Sequence, residues 1–532
     1  MKVTGRSICL AGLMCALLAA CAELDSPVGE AGAAEAQAFP QSPNIVFIFT
    51  DDHASQALGC YGTTLPHVTP RIDALAAEGV VFENCFCGNS ICGPSRATVL
   101  TGLHSHANGF TQNGARFNVD LATFPKALQA AGYATALFGK WHLESQPQGF
   151  DCWEVLPGQG EYYDPEFITA QGRERREGYV TDLITERALR WLAEERDPSK
   201  PFLLCIWHKA PHREWLPAPR HFELLEEAAL EPPASLFDNH LGRPAAALQH
   251  MTIARHLVPD YDLKLPPGTK DECCVPEKWA VNHAAERLKN MRPVFRDPWE
   301  AHYGPRNAAF LAEPPTGQAL VLWKWREYLK DYLRCVKAVD EGVGRVVDAL
   351  EAAELGDALT LYSSDQGFFL GEHGFYDKRW MYEESLRMPL IVRWRGVTEP
   401  GRRIAELCQN TDFAPTLLAA AGVTSAMQPH GRSLVPLLRG GEFKARRAIY
   451  YRYYEHPGTH NVARHVGVRT ERFKLLFFDE DGHTELFDLV EDPREMRNIA
   501  EDPARAGLRE QLENLLRAEA AAVGDTLPSN FR

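Results

Sequence analysis

Six short stretches of this chain carry residues able to do chemistry together: Asp51-Asp52-His53, Cys92-Gly93-Pro94-Ser95-Arg96, Lys140-Trp141-His142, Pro211-His212, Asp365-Gln366 and Lys378. Asp51, Asp52, Asp365 and the amide oxygen of Gln366 are hard oxygen donors. Such a set suits Ca²⁺, with Mg²⁺ second, and not zinc, because nitrogen and sulfur ligands are missing. A divalent ion would draw an anionic substrate. Pro94 can open a helix, since its missing N–H would have no partner in a first turn. Cys92 would then sit at a helix N-terminus, where free N–H groups favour anions, with Arg96 adding a fixed positive charge. The bland alternatives are an Asp pair that caps a turn and a structural cysteine in a tight loop.

What favours a site is the placement of these residues. The apolar run NIVFIFT leads into Asp51-Asp52, YATALFG into Lys140-Trp141-His142, FLLCIWH into Pro211-His212, and ALTLYSS into Asp365-Gln366. Near-continuous apolar runs of this length read as buried parallel strands, and ligands bind at the carboxyl ends of such strands. Helical patterns alternate with them at Pro70 to Gly79, Phe124 to Gly132, about Thr181 to Glu195 and about Ala319 to Leu355. The expected fold is α/β, a mainly parallel sheet flanked by helices. Glu223 to Thr316, rich in Pro, Arg and His, reads as loops and short helices. After Pro429 the runs become short, aromatic and β-branched. They predict a smaller antiparallel α+β subdomain over 429–532, beside a catalytic domain over 44–428.

The 532 residues carry a net charge of −15, which disfavours a general nucleic-acid binder and requires any anion site to be built locally. Residues 1–21 read as a signal peptide: Lys2 and Arg6, an apolar run too short to span a bilayer, then Leu18-Ala19-Ala20-Cys21, which resembles a lipobox. Cys21 is expected to carry the lipid, a plain cleaved leader being the alternative. Residues 22–43 read as a flexible tether. The protein is therefore expected in the periplasm or cell envelope, touching the membrane only through that anchor. Ten cysteines lie beyond the leader. Export permits disulfides, and Cys85 or Cys87 could pair with another cysteine, but spacing does not say which.

Cys92-Gly93-Pro94-Ser95-Arg96, with Leu100-Thr101-Gly102, resembles the signature of the type I sulfatases. The likeness continues through NIVFIFTDDH, GKWH, APH and SDQGFFLGEHGFYDK with Lys378. The resemblance implies an alkaline-phosphatase-like fold and hydrolysis of sulfate esters. It implies that a maturation enzyme oxidises Cys92 to formylglycine, whose hydrate offers one hydroxyl to attack sulfur and a second to release sulfate. It implies Ca²⁺ held by Asp51, Asp52, Asp365, Gln366 and the modified residue 92; Gln366 departs from the family's usual Asn or His. Arg96 and Lys140 would orient the nucleophile, His142 would act as base, and His212 and Lys378 would grip the sulfate. GFDCWEVLPGQGEYYDPEFI and HKAPHREWLPAPRHF are similar to segments of sulfatases acting on 6-sulfated N-acetylglucosamine of mucin or glycosaminoglycan. Arg464 and His465 are expected to reach the sugar, or else to end an exposed strand. Trp153, Tyr162 and Trp215 could stack on a sugar ring or simply pack. Two other functions stay open: a phosphoester or phosphonate hydrolase of the same superfamily, and a non-catalytic glycan-binding lipoprotein.

Overall fold

The computed structural model describes residues 42–269 and 278–531; the leader, Cys21 and the tether lie outside the described residues, as do Cys273 and Cys274. The main strands are β1 (Ile45–Thr50), β2 (Val80–Phe82), β3 (Ala134–Lys140), β4 (Cys152–Leu156), β5 (Glu166–Thr169), β6 (Gly172–Arg175), β7 (Phe202–Trp207), β8 (Leu359–Ser364), β9 (Leu390–Arg393) and β10 (Arg402–Ile404), of which β1, β3, β7 and β8 are the four apolar runs named above. They form a ten-stranded sheet in the order β10-β2-β9-β8-β1-β7-β3-β4-β5-β6. Its centre is parallel: β1 lies between β8 and β7, and β7 pairs with β3. Antiparallel pairs occur towards both edges, β9 on β8 and on β2, β5 on β4 and on β6. Every residue of β1, β7 and β8 is buried, as central strands covered by helices on both faces must be.

The register explains how distant carboxylates meet. Thr50 pairs with Ser364, so the next residues, Asp51 and Asp365, leave the sheet side by side. Phe49 and Gly139 both pair with Trp207, which brings Lys140 and the His208–His212 segment to the same edge. Gly139 is obligatory here. Its φ is +116°, and a Cβ would lie 1.9 Å from the Trp207 carbonyl oxygen.

The interval 223–316 is more ordered than its composition suggested. It contains helices Lys278–Asn290 and Pro293–Ala312, the second 20 residues long with Pro298 and Pro305 inside it. Those prolines disguise the helix in the sequence. Phe295, Trp299 and Tyr303, at four-residue spacing, bury one stripe with Phe222 and Met291, and this packing outweighs the lost backbone bonds. The helix Gly317–Ala352 then packs its buried apolar face against the helices Val180–Arg190 and Pro70–Ala77.

The C-terminal region holds a four-stranded antiparallel sheet, β11 (Ile449–Tyr453), β12 (His465–Arg469), β13 (Phe473–Phe478) and β14 (Thr484–Asp488), in sequence order. The helix Ala506–Ala522 closes it, laying Leu512, Leu516 and Ala520 on Val466, Val468, Leu475 and Leu486. Residues Gln41–Arg532 cluster as one compact unit. No described helix is long and apolar enough to cross a membrane.

Candidate active site

Cys92 opens the helix Cys92–Thr101, all ten residues of which are buried. Ile91 precedes it in extended conformation, and Gly102 ends it in the left-handed region. Gly93 has no room for a side chain: a Cβ would lie 2.6 Å from the Phe110 ring and 2.9 Å from Asn113 Oδ1, the atom that accepts its N–H. Ser95 Oγ donates to the Asp365 carbonyl and accepts from Asn410 Nδ2 at 2.9 Å, which locks the first turn against the end of β8.

Around this turn the sequence-predicted residues converge. One oxygen each of Asp51, Asp52 and Asp365 lie within 4.8 Å of one another, as do an Asp51 oxygen, Cys92 Sγ and a ring nitrogen of His212. Arg96 grips Asp365 Oδ2 through Nε (3.1 Å) and Nη2 (3.0 Å), and donates from Nη1 to the Lys140 carbonyl at 2.7 Å. Lys140 Nζ meets Asp51 and the Gln159 amide oxygen. Lys378 Nζ lies 2.6 Å from Asp52 Oδ2, and His212 Nε2 lies 3.7 Å from the same atom. Asp52 and His142 hold φ of +67° and +56°, left-handed conformations that cost non-glycine residues about 1–3 kcal/mol each and concentrate at functional sites.

The electrostatics follow from burying three carboxylates together. Burial and the neighbouring Asp51 push Asp52 up to about 6, against the pull of Lys378. Burial raises Asp365 further, with Asp51 and Asp52 adding to it. Asp51 goes the other way: burial opposes its charge, but the cations Lys140, Arg96 and Lys378 together hold it well below the usual carboxylate range. Burial keeps His142 and His212 neutral, with Lys140 reinforcing both. The Cys92 thiol is driven well above its usual range by burial and by Asp51, so at neutral pH it is a protonated thiol and a poor nucleophile despite its helix terminus.

The donor set fits a hard cation. Asp51 Oδ1 and Gln366 Oε1 are buried with no hydrogen-bond partner. Gln366 Nε2 donates to Asp52 Oδ1 at 2.5 Å, which leaves its carbonyl oxygen as the free acceptor. Buried acceptors of this kind are costly unless something positive meets them.

His212 is held by two residues whose part the sequence did not reveal. Tyr162 Oη donates to the His212 carbonyl at 2.6 Å. Lys209, buried, sits over the Tyr162 ring at 4.6 Å and donates to the Arg213 carbonyl at 3.4 Å. Tyr162 is therefore a support rather than a sugar platform. Trp215 is wholly buried against Tyr328, Phe368 and Tyr376, which rules out stacking on a sugar. Trp153 lines a cavity of about 290 Å³ with His142 and Arg116. Glu372 accepts from the Leu370 N–H, and His373 faces Asp238, so both brace turns.

His465 does not meet the expectation of reaching a sugar. His465 is buried in the C-terminal sheet, stacked by Tyr451 and Tyr453 and flanked by Trp380 and Phe478, with Nδ1 on the Ala463 carbonyl. Arg464 pairs with Glu480 at a half-exposed strand end. Burial holds His465 down at about 4, against an ordinary 6.5. The unfolded chain thus takes up the proton first as pH falls from about 6.5 towards 4, and the folded state loses up to ~3 kcal/mol. His465→Phe should abolish that part of the acid sensitivity in denaturant titrations and leave KM unchanged; a several-fold rise in KM would return His465 to the substrate.

Beside Lys378 lies a polar group missed in the sequence. Asp377 meets Arg379, and His460 Nε2 stands 3.2 Å from Asp377 Oδ2. Asp377 and Arg379 both have φ of +78°. Their positions flanking Lys378 were a usable signal; His460, from the C-terminal region, carried none.

The family comparisons agree with this geometry. The sulfatase family model matches residues 43–423, and the model for the C-terminal part of N-sulphoglucosamine sulphohydrolase matches 371–522. An N-acetylglucosamine-6-O-sulfatase from Bacteroides thetaiotaomicron is 46% identical over 495 residues, covering 91% of this chain and 88% of that one. The solved structure of BT4656 with its substrate D-glucosamine-2-N,6-O-disulfate has a TM-score of 0.86 at 44% identity, covering 92% of this chain and 99% of that one. The phosphonate monoester hydrolase of Agrobacterium radiobacter, with a TM-score of 0.63 at 21% identity over 90% of this chain and 96% of that one, shows only the shared fold. With its acidic cluster, its CxPSR turn and its cations gathered at one sheet edge, and with matches running along most of its length, the chain belongs to the sulfatase family and is a sulfuric ester hydrolase.

Proposed function

We propose that this enzyme removes the 6-O-sulfate of N-acetylglucosamine or glucosamine units in mucin glycans or glycosaminoglycans, using formylglycine made from Cys92 by a maturation enzyme. The single observation that carries the substrate is the 46% identity to an N-acetylglucosamine-6-O-sulfatase over nearly the whole chain. The neighbour that binds a 6-O-sulfated glucosamine supports it. The protonated, buried Cys92 thiol supports the modification, because an unmodified thiol there has little nucleophilic power. We also propose that the chain is exported and lipid-anchored through Cys21, which rests on its N-terminal sequence.

Asp51, Asp52, Asp365, Gln366 and the modified residue 92 would hold Ca²⁺, which would polarise a sulfate oxygen, and the formylglycine hydrate would supply the attacking hydroxyl. The chain's own residues do the rest. Arg96 and Lys140 orient the carboxyl groups of Asp365 and Asp51 and favour their charged forms. His142, neutral, with buried Nδ1 unpartnered, has a ring nitrogen open to take a proton. His212 Nδ1 donates to the Arg213 carbonyl, which fixes the ring, and Nε2 can donate to a sulfate oxygen once the anion draws a second proton onto the ring. Lys378 keeps its ammonium and is the group with a proton to give the departing sugar oxygen.

Sulfate release from a panel of 2-, 3-, 4- and 6-sulfated amino sugars tests the substrate. The 6-sulfated N-acetyl form should turn over with the highest kcat/KM, and turnover confined to phosphate or phosphonate esters would sink the reading. Chelation should remove activity and lower Tm, as three buried carboxylates lose their counter-charge. Ca²⁺ should restore both and Zn²⁺ should not, measured by calorimetry and sulfate release on the same sample.

A further inference from the structure

The cysteines of ENCFCGNS find no part in the catalytic site, yet one of them has a partner. The two-residue strand Cys85–Phe86 pairs in parallel with Cys408–Gln409, and Cys85 stands directly opposite Cys408. Both side chains are fully buried, and Cys408 Sγ lies 3.5 Å from the carbonyl of Asn84, the residue just before Cys85. Directly paired strands run about 4.8 Å apart, inside the range of about 4.4–6.8 Å that a disulfide spans between Cα atoms. Cys87 is turned elsewhere: its sulfur lies 3.1 Å from Ser90 Oγ and 3.4 Å from the Leu386 carbonyl.

We infer that Cys85 and Cys408 form a disulfide in the mature protein. Its place gives it a purpose. Cys408 leads through Gln409 to Asn410, whose side chain accepts the Gly88 N–H at 3.2 Å and donates to Ser95 Oγ. The bond would staple the segment before the CxPSR turn to the segment that braces Ser95, across 323 positions of chain. That loop, closed in the unfolded state, is the kind a cross-link constrains most.

The chemistry balances by thiol–disulfide exchange. One cysteine thiolate attacks the S–S bond of an incoming disulfide, from an oxidoreductase or from glutathione disulfide, and displaces one of its sulfurs as a thiolate. The other cysteine then attacks the mixed disulfide, the Cys85–Cys408 bond forms, and the oxidant leaves as two thiols with the two electrons and two protons. Because both sulfurs are inaccessible in the folded chain, exchange must precede closure of the ladder. The inference rests on the export reading, since a cytosolic thiol pool would keep both reduced.

The test is peptide mapping of the full chain, expressed with its leader, its thiols alkylated at lysis, and its envelope and cytoplasmic fractions compared. The expected result is a linked peptide pair holding Cys85 and Cys408 in the envelope fraction, with both alkylated in the cytoplasmic precursor. Alkylation of both in active envelope protein, or a Cys87–Cys408 link, would overturn the inference. If no chain reaches the envelope, it is the export reading that fails; refolding the reduced chain in glutathione disulfide then decides the pairing by the same map. Cys408→Ser should keep kcat/KM within twofold at ambient temperature and lower Tm by several degrees. Reductant should lower wild-type Tm to that of the variant and leave the variant unmoved. Equal reductant sensitivity of the two proteins would also count against the bond.

Discussion

Cys92→Ala should fold, hold its metal through Asp51, Asp52, Asp365 and Gln366, and hydrolyse sulfate esters at least about 10⁴-fold more slowly than the parent. The side chain is wholly buried and small, so its loss leaves the sheet edge and the helix Cys92–Thr101 in place, and thermal unfolding should shift little. Binding should persist, because His212 and Lys378 remain to hold the anion. The loss therefore falls on kcat. Cys92→Ser is the sharper variant. A serine hydroxyl beside the same metal can attack sulfur once, but it has no second hydroxyl with which to expel sulfate. It should accumulate a chain carrying covalent sulfate at position 92, visible in the intact mass. Substantial turnover by either variant would mean that residue 92 is not the nucleophile.

Lys378→Met should lower kcat by about 10²- to 10⁴-fold on a sugar sulfate. The ammonium sits 2.6 Å from Asp52 Oδ2 with its side chain almost wholly buried, and the carboxylate holds its pKa above the ordinary lysine value. It is thus a cation fixed where the sulfate and its leaving oxygen must lie. Its two roles separate by leaving group. A sugar alkoxide needs a proton to depart, whereas a nitrophenolate does not. On an aryl sulfate with a good leaving group the same variant should lose at least tenfold less than on the sugar. Equal losses on both substrates would confine Lys378 to anion binding and return proton donation to His212. In metal-free protein the variant also leaves Asp52 without its nearest cation, a cost of about 3–5 kcal/mol that calcium should largely offset.

The parts of this account that were legible in the sequence are those set by local rules. Buried parallel strands announce themselves as apolar runs, and the residues just after them are where such folds keep chemistry. That is why Asp51, Asp52, Lys140, His142, His212 and Asp365 could be named together. Pro94 marked the start of the helix that Cys92 opens. The rest depended on long-range packing. The helix Pro293–Ala312 was hidden because two internal prolines outweigh its apolar stripe in any local reading, while in the fold Phe222 covers that stripe. His465 looked like a sugar ligand because a histidine at a strand start is ambiguous, and only β11 and β13 show the rings that enclose it. Tyr162 and Lys209 position His212 through backbone carbonyls, a role that leaves no trace in side-chain spacing. Cys85 and Cys408 become neighbours only once two short strands pair.

The central claim is that the working group at position 92 is an aldehyde and not the encoded thiol. Mass spectrometry of the peptide spanning Ser90 to Arg96, on protein that is turning over a 6-sulfated N-acetylglucosamine, tests it most directly. The account predicts formylglycine at position 92, captured by a hydrazine probe, in a fraction of molecules that rises and falls with specific activity across preparations. A fully active preparation in which every Cys92 is an intact, alkylatable thiol would contradict it.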